Sequence, residues 1–298
     1  MTISEAIIPL GKAALQPAGD VPELGLLNGH TLLVWALEEA LRAGARRILL
    51  TAPEDYAAAA DLEIAARRTV AEAALRDKPV VGLVTADPAQ GPEGWDGLIR
   101  LAAASCSGHR VLLIDPLMPL MVDGQVLSSV SLQMRQAMDG RPDRPRLLAL
   151  AEVTWDEALA LPRVCNDNTG LAFMADTGDC ARMQTIFAGR AIFAPALPDY
   201  DPAIARNWPP AYRFPYETLV QHILSDGVEG YPTQAEALDF TAPRAARRKQ
   251  TRPIMAKSPG RRFVLRVRPD PDEGIEPPET GKKEEHPSAR LEFSSNTG

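Results

Sequence analysis

Short apolar segments alternate with amphipathic segments through the first half of the chain, and this alternation predicts the fold class. Four runs have the length and composition of buried strands, at residues 6–10, 47–51, 80–84 and 111–115. They are apolar on both faces, as parallel strands are when helices cover both sides of the sheet. The order strand, helix, strand, helix therefore predicts an α/β fold with a mostly parallel central sheet and helices on both faces.

Helical periodicity separates these runs. Helices are predicted at residues 31–41, 57–75 and 95–105. In the first helix, apolar residues recur from Leu33 at i, i+3, i+4, i+7 and i+8, which places them on one face. Thr31 is positioned to cap the start of this helix, and Gly44 to follow its end.

The second half of the chain has a less regular pattern. Apolar runs predict strands at 147–151 and 191–193, and amphipathic spacing predicts helices at 155–161, 180–188 and 216–225. We find no internal repeat.

Composition limits the class of protein. The chain has 298 residues, of which 45% are hydrophobic and 24% charged, an ordinary balance for a globular domain. Its apolar runs are too short to span a bilayer, and the first residues lack the basic region of a secretory signal. The three cysteines form neither a disulfide framework nor a zinc pattern. We therefore expect a cytoplasmic protein without a transmembrane segment.

Charge divides the sequence into two parts. Residues 243–298 contain 13 Lys and Arg against 8 Asp and Glu, a net charge of +5, whereas residues 1–242 contain 19 against 31, a net charge of −12. All ten charged residues in 244–268 are basic, and the chain then becomes acidic and rich in proline. We predict one α/β domain at 1–242 and a disordered tail at 243–298. The tail is either a solvated extension or a contact for a polyanion.

Deleting residues 243–298 is expected to leave the melting temperature nearly unchanged, because a segment rich in proline and charge buries little apolar surface. Differential scanning calorimetry of the full and shortened chains checks this, and a large drop would contradict it. If the basic stretch binds a polyanion such as heparin, its affinity should fall steeply with added salt.

The carboxyl ends of the predicted strands hold the candidate chemistry, since ligands of open parallel sheets bind at that edge. Gly11 and Lys12 begin the loop after the first strand, and Asp115 ends the fourth. The loop after Leu10 and the Asp115 carboxylate are therefore both predicted to lie at this edge.

Several segments, in order, resemble motifs of one family. Ala6-Ile7-Ile8-Pro9 matches a first strand that reads A-V-I-P, and residues 42–51 match A-A-G-I-x-x-I-V-L-V-T. Residues 90–99 are similar to Q-x-x-x-x-G-L-G-H-A-V, and residues 112–115 to a strand ending V-L-L-P-D. Gly189-Arg190-Ala191-Ile192-Phe193 matches G-R-Y-V-L. Over residues 6–240 the chain therefore resembles the bacterial UTP–glucose-1-phosphate uridylyltransferases, which are sugar nucleotidyltransferases.

The resemblance implies a reaction and a set of site residues. In this family a sugar 1-phosphate attacks the α-phosphorus of a nucleoside triphosphate, pyrophosphate leaves, and Mg²⁺ bridges the charged groups. The implied catalytic residue is Lys12, as a phosphate contact, and its alternative is a solvated loop lysine. The implied Mg²⁺ ligand is Asp115, whose alternative is a helix cap or a hydrogen-bond acceptor within its loop, and Glu236 is a candidate second ligand. The implied nucleotide-binding residues are Gly11, Gly94 and Gly97, of which the last two can equally be turn residues.

The chain departs from the family at charged positions. The glycine loop G-x-G-T-R is reduced to Gly11 and has no arginine. The family's P-K-E becomes Pro22-Glu23-Leu24, so a carboxylate stands in place of a lysine, and the lysine of E-K-P is lost near Asp176.

The resemblance and these departures together leave two candidate functions. One is the formation of UDP-glucose from UTP and glucose 1-phosphate.

The other function is that of a catalytically inactive paralogue. Such a protein would bind a nucleotide weakly, or would pair with an active homologue and regulate the supply of polysaccharide precursors. A homo-oligomer is the further assembly that the resemblance suggests.

Overall fold

The computed structural model describes residues 3–11, 21–73, 78–86, 94–139, 147–154, 164–167, 170–173, 183–196, 229–233 and 235–237. The strands of these residues are β1 (Glu5–Pro9), β2 (Leu26–Leu27), β3 (His30–Thr31), β4 (Arg47–Pro53), β5 (Val80–Ala86), β6 (Val111–Ile114), β7 (Leu120–Val122), β8 (Gln125–Val126), β9 (Leu147–Thr154), β10 (Val164–Asp167), β11 (Gly170–Phe173), β12 (Met183–Phe193), β13 (Glu229–Pro232) and β14 (Glu236–Ala237). The helices are α1 (Leu32–Arg42), α2 (Ala59–Glu72), α3 (Gly94–Ala104) and α4 (Val130–Met138), and a short 3₁₀ helix covers Pro22–Leu24.

The largest sheet has seven strands in the order β13-β9-β12-β6-β1-β4-β5. The pairs β6–β1, β1–β4, β4–β5 and β9–β13 are parallel, and β12 runs antiparallel to both of its neighbours. Six of the seven strands therefore share one direction. The predicted α/β class with a mostly parallel central sheet is confirmed.

Helices cover both faces of this sheet because its side chains alternate between them. On one face, Ile8 and Leu50 join a core to which the buried sides of α1, α2 and α4 also contribute. On the other face, α3 packs against β1, β4 and β5 and buries Leu98 and Ala102. Strands buried on both sides are the reason for the continuous apolar runs in the sequence.

The start and end of α1 follow its sequence signals. Thr31 is the N-cap, and its Oγ1 accepts a hydrogen bond from the Val34 N–H at 3.3 Å. The helix ends at Arg42, Ala43 is its C-cap, and Gly44 follows as predicted. This helix carries the buried Glu39.

The predicted helix at 180–188 is wrong, because Met183 begins the long strand β12. This strand pairs with β9 over Met183–Phe187 and with β6 over Arg190–Phe193, and a register shift separates Phe187 from Ala191 along its pairing with β9. Its apolar residues suit either a buried helix or a buried strand. The strand is selected by hydrogen bonds to the neighbouring strands β9 and β6, which are far away in sequence.

Several sequence predictions fall outside the described residues. They concern Lys12, the helices at 155–161 and 216–225, and the tail at 243–298, so the domain boundary at 242 stays a prediction. Within the described residues, no helix is long and apolar enough to cross a membrane.

Candidate functional site

The candidate site lies where β1, β4 and β6 end at one edge of the sheet. The Leu10 N–H donates to the Thr51 carbonyl at 2.7 Å, which extends the pairing of β1 with β4 by one step. Gly11 follows directly. Asp115 is the first residue after β6, and Tyr56 lies in the turn after β4. Parallel pairing in this register thus brings Gly11, Tyr56 and Asp115 to the same edge.

Gly11 has a backbone conformation that requires glycine. Its φ is +72°, in the left-handed region. A Cβ atom at this position would lie 3.0 Å from the ring of Tyr56 and 3.2 Å from Cδ of Pro53. The Tyr56 ring therefore packs directly on the backbone of the glycine, and no larger residue fits without displacing it.

Glu23 reaches into this edge and binds Gly11. It lies in the 3₁₀ helix Pro22–Leu24 and is fully buried. Its Oε1 accepts the Gly11 N–H at 2.6 Å, and its Oε2 accepts the Tyr56 hydroxyl at 2.7 Å. Glu23 therefore already pairs with the backbone N–H of Gly11 within the folded chain.

The environment of Glu23 opposes its negative charge. Burial raises the pKa of Glu23 above its ordinary value of 4.5, the hydrogen bonds from Gly11 and Tyr56 lower it in part, and repulsion from Asp115 raises it further. Burial also raises the pKa of the Tyr56 hydroxyl, as does the neighbouring carboxylate. Tyr56 is thus held in its protonated form, which is the form that donates to Glu23.

Wild-type protein is expected to lose stability relative to Glu23→Gln as the pH rises from 4.5 through the raised pKa of Glu23. In that range the folded protein binds more protons at this site than the unfolded chain, so the free energy of unfolding falls with pH, by at most about 1.4 kcal/mol per pH unit. Urea unfolding of both proteins across this range measures the difference. The exposed Glu72 supplies the control variant Glu72→Gln, and a pH-independent difference for Glu23→Gln would contradict the prediction.

Asp115 is fixed by backbone contacts. Its N–H donates to the Gly189 carbonyl at 2.8 Å, and its Oδ1 accepts the Leu117 N–H at 2.9 Å. The residue has no solvent exposure. It is therefore a hydrogen-bond acceptor within its own loop, which was one of the two readings of the sequence. The other reading, a metal ligand, stays a prediction.

A buried ion pair holds the two segments that enclose Asp115. Arg190 donates to both carboxylate oxygens of Glu39, with Nη2 to Oε2 at 2.8 Å, and it also donates to the carbonyls of Met118 and Ala188. Glu39 in turn accepts the Ser131 hydroxyl at 2.6 Å. Arg190 and Glu39 are 3% and 2% exposed. The pair thus links α1, α4 and β12 to the turn that begins at Asp115.

Gly189 allows this arrangement, because its φ is +73° and a Cβ atom there would lie 3.0 Å from the Cβ atoms of Asp115 and Met118. The sequence motif Gly189-Arg190 therefore acts as a unit. The absence of a side chain at Gly189 leaves space for Asp115, and Arg190 anchors β12 beside Asp115 through its ion pair with Glu39.

No model of a protein family matches the sequence, and no curated protein matches it. Solved structures do match. HddC from Yersinia pseudotuberculosis shares 14% identity with a TM-score of 0.54, over 83% of this chain and 100% of that chain. The UTP-bound UGPase from Acinetobacter baumannii shares 14% identity with a TM-score of 0.57, over 83% of this chain and 92% of that chain. A CMP:2-keto-3-deoxy-manno-octonic acid synthetase complexed with CTP shares 11% identity with a TM-score of 0.53, over 86% and 99%. The chain has the sugar-nucleotidyltransferase fold.

Within the sugar-nucleotidyltransferase fold, the other predicted site residues have different outcomes. Gly94 and Gly97 are the first and fourth residues of α3. The alternative that they form a loop turn is therefore wrong, and their role in nucleotide binding stays a prediction. Glu236 lies on β14, opposite Met121 of β7. Lys12 lies outside the described residues.

The site's carboxylates suit Mg²⁺ only in part. The described residues contain no group of three or more His, Cys, Asp or Glu side chains that could hold a metal. Mg²⁺ is commonly bound by one or two carboxylates together with substrate phosphates and water. A role for Asp115 as a single ligand of an ion that arrives with a nucleotide stays a prediction.

Sequence reasoning missed Tyr56, Glu39 and Arg190 as parts of the site. Glu39 did leave a signal, since it lies at the helical spacing of Leu32, Ala36 and Ala43, on the apolar stripe of α1. A charge on such a stripe indicates a buried partner. Nothing in the local sequence distinguishes Tyr56 from other loop tyrosines.

Proposed function

We propose that this chain is a catalytically inactive relative of the sugar nucleotidyltransferases that binds a nucleotide or sugar nucleotide weakly and does not form one. The observation that carries the proposal is the buried Glu23 carboxylate on the Gly11 N–H. Two of the similar solved structures hold UTP and CTP, which supports a nucleotide as the class of ligand.

Transfer of a nucleotidyl group needs positive charge and backbone N–H groups around the phosphates as charge develops. Here the Glu23 carboxylate already accepts the Gly11 N–H. A second carboxylate, that of Asp115, lies close enough to raise the pKa of Glu23. Losing one preorganised contact of this kind costs on the order of 10²–10³ in rate. The lost arginine and lysines of the sequence act in the same direction, so turnover falls below a useful level.

The second candidate is an active uridylyltransferase that forms UDP-glucose from UTP and glucose 1-phosphate. It is favoured by Asp115, which directly follows a central parallel strand and would serve as one ligand for Mg²⁺ brought by the nucleotide. Under this candidate Lys12 contacts the triphosphate. Pairing with an active homologue belongs to the first candidate and rests on the sequence resemblance.

A pyrophosphate-release assay separates the two candidates. The purified full chain is mixed with glucose 1-phosphate, MgCl₂ and each of the four common nucleoside triphosphates in turn, beside an active UDP-glucose pyrophosphorylase. We expect no release above the background without protein, together with weak UTP binding in titration calorimetry. Pyrophosphate release that Asp115→Asn abolishes would overturn the proposal and favour the active enzyme.

A further inference from the structure

Two hydrogen-bond donors converge on the Glu23 carboxylate from different elements. The Gly11 N–H reaches Oε1 at 2.6 Å, and the Tyr56 hydroxyl reaches Oε2 at 2.7 Å. Each oxygen thus has its own donor, and the carboxylate has no contact with solvent. Donors aimed at both oxygens of a carboxylate are how proteins bind free oxyanions.

These donors are held by parts of the fold other than Glu23. Gly11 continues β1, and the preceding Leu10 N–H is fixed to the Thr51 carbonyl of β4 at 2.7 Å. Tyr56 donates its own N–H to the Pro53 carbonyl at 3.1 Å, and its ring packs on Gly11. Both donors are therefore expected to stay in place when the side chain at position 23 is shortened.

We propose that the Gly11 N–H and the Tyr56 hydroxyl form a binding site for a small oxyanion, which Glu23 fills as an intramolecular ligand. The proposal rests on the proposed function and extends it. Because Glu23 already fills the site in wild-type protein, a nucleotide binds only beside this carboxylate. Carboxylates and phosphates both have oxygen atoms that can accept hydrogen bonds from these two donors. Formate has the size and shape of the group that Glu23 supplies, and inorganic phosphate is the larger, tetrahedral alternative.

Shortening the side chain should create a vacant site that free anions restore. Glu23→Ala leaves the buried Gly11 N–H and the half-buried Tyr56 hydroxyl without this acceptor and should lower the melting temperature by roughly 5 °C or more. Sodium formate should raise it again in a saturable manner, by roughly 5–10 °C at a hundredfold excess over the dissociation constant. Sodium chloride keeps the ionic strength constant, and a parallel titration uses sodium phosphate.

Matched variants show whether the anion binds at this place. Wild type and Glu72→Ala, which removes an exposed carboxylate from α2, should gain only the small general effect of the salt. Glu23→Gln keeps the site filled and should behave like wild type. Adding Tyr56→Phe to Glu23→Ala removes one donor and should weaken formate binding by about tenfold.

The outcomes separate this site from the proposed function. Rescue by formate alone assigns a planar, carboxylate-sized site, and rescue by phosphate as well assigns one that admits a tetrahedral anion. Equal salt responses in all variants, or rescue that survives Tyr56→Phe unchanged, would overturn the oxyanion site and leave the pyrophosphate result intact. If Glu23→Ala does not fold in chloride, far-UV circular dichroism after dilution from urea serves instead. Recovery in formate then supports the site, and no recovery overturns it.

Discussion

Glu23→Gln is expected to bind UTP with Mg²⁺ more tightly than wild type, by up to about a thousandfold. The substitution keeps the shape of the side chain and removes a buried negative charge at the edge where the phosphates would lie. Two like charges about 4 Å apart, at an effective dielectric constant of about 20, repel by about 4 kcal/mol, and screening and Mg²⁺ reduce this. Glu23→Lys should tighten binding further where the folded chain accommodates the lysine.

Titration calorimetry with UTP and MgCl₂ measures these affinities. Glu54→Gln is a matched control, because Glu54 follows β4 directly and is exposed to solvent, where charge is largely screened. Its affinity should equal that of wild type. If Glu23→Gln also equals wild type, UTP does not approach Glu23, and the alignment of Pro22-Glu23-Leu24 with the family's lysine motif is wrong.

Arg190→Met is expected to cause the largest loss of stability, about 3–5 kcal/mol in the free energy of unfolding. The substitution leaves Glu39 buried at 2% exposure without its cation, and an uncompensated buried charge is strongly unfavourable. The carbonyls of Met118 and Ala188 lose their donor as well. The turn that holds Asp115 should therefore loosen together with the core.

Chemical unfolding of a small set of variants tests this origin. The double variant Arg190→Met with Glu39→Leu removes both charges and should be more stable than Arg190→Met alone, because no buried charge is left unpaired. Arg67→Met breaks an exposed pair with Glu63 on α2 and should cost at most about 1 kcal/mol. An Arg190→Met variant as stable as Arg67→Met would contradict the buried ion pair.

Local sequence patterns are sufficient to predict the class of the fold and the main elements of its first half. The apolar runs at 6–10, 47–51 and 111–115 became β1, β4 and β6, and Thr31 became the cap of α1. These features depend on alternation, helical spacing and capping, which involve residues a few positions apart. The order of the motifs also aligns Glu23 with a lysine of the resembling family, and this alignment stays a prediction.

Tertiary structure alone decided which groups meet at the site. Glu23 bonds to Gly11, 12 positions away, and to Tyr56, 33 positions away, while Arg190 and Glu39 are 151 positions apart. The residues at 183–188 form a strand because β9 offers them hydrogen bonds, although their spacing predicted a helix. Local periodicity contains no information on such partners. These partners meet only when the strands pair into the sheet, and each buried polar group must then have a donor or an acceptor.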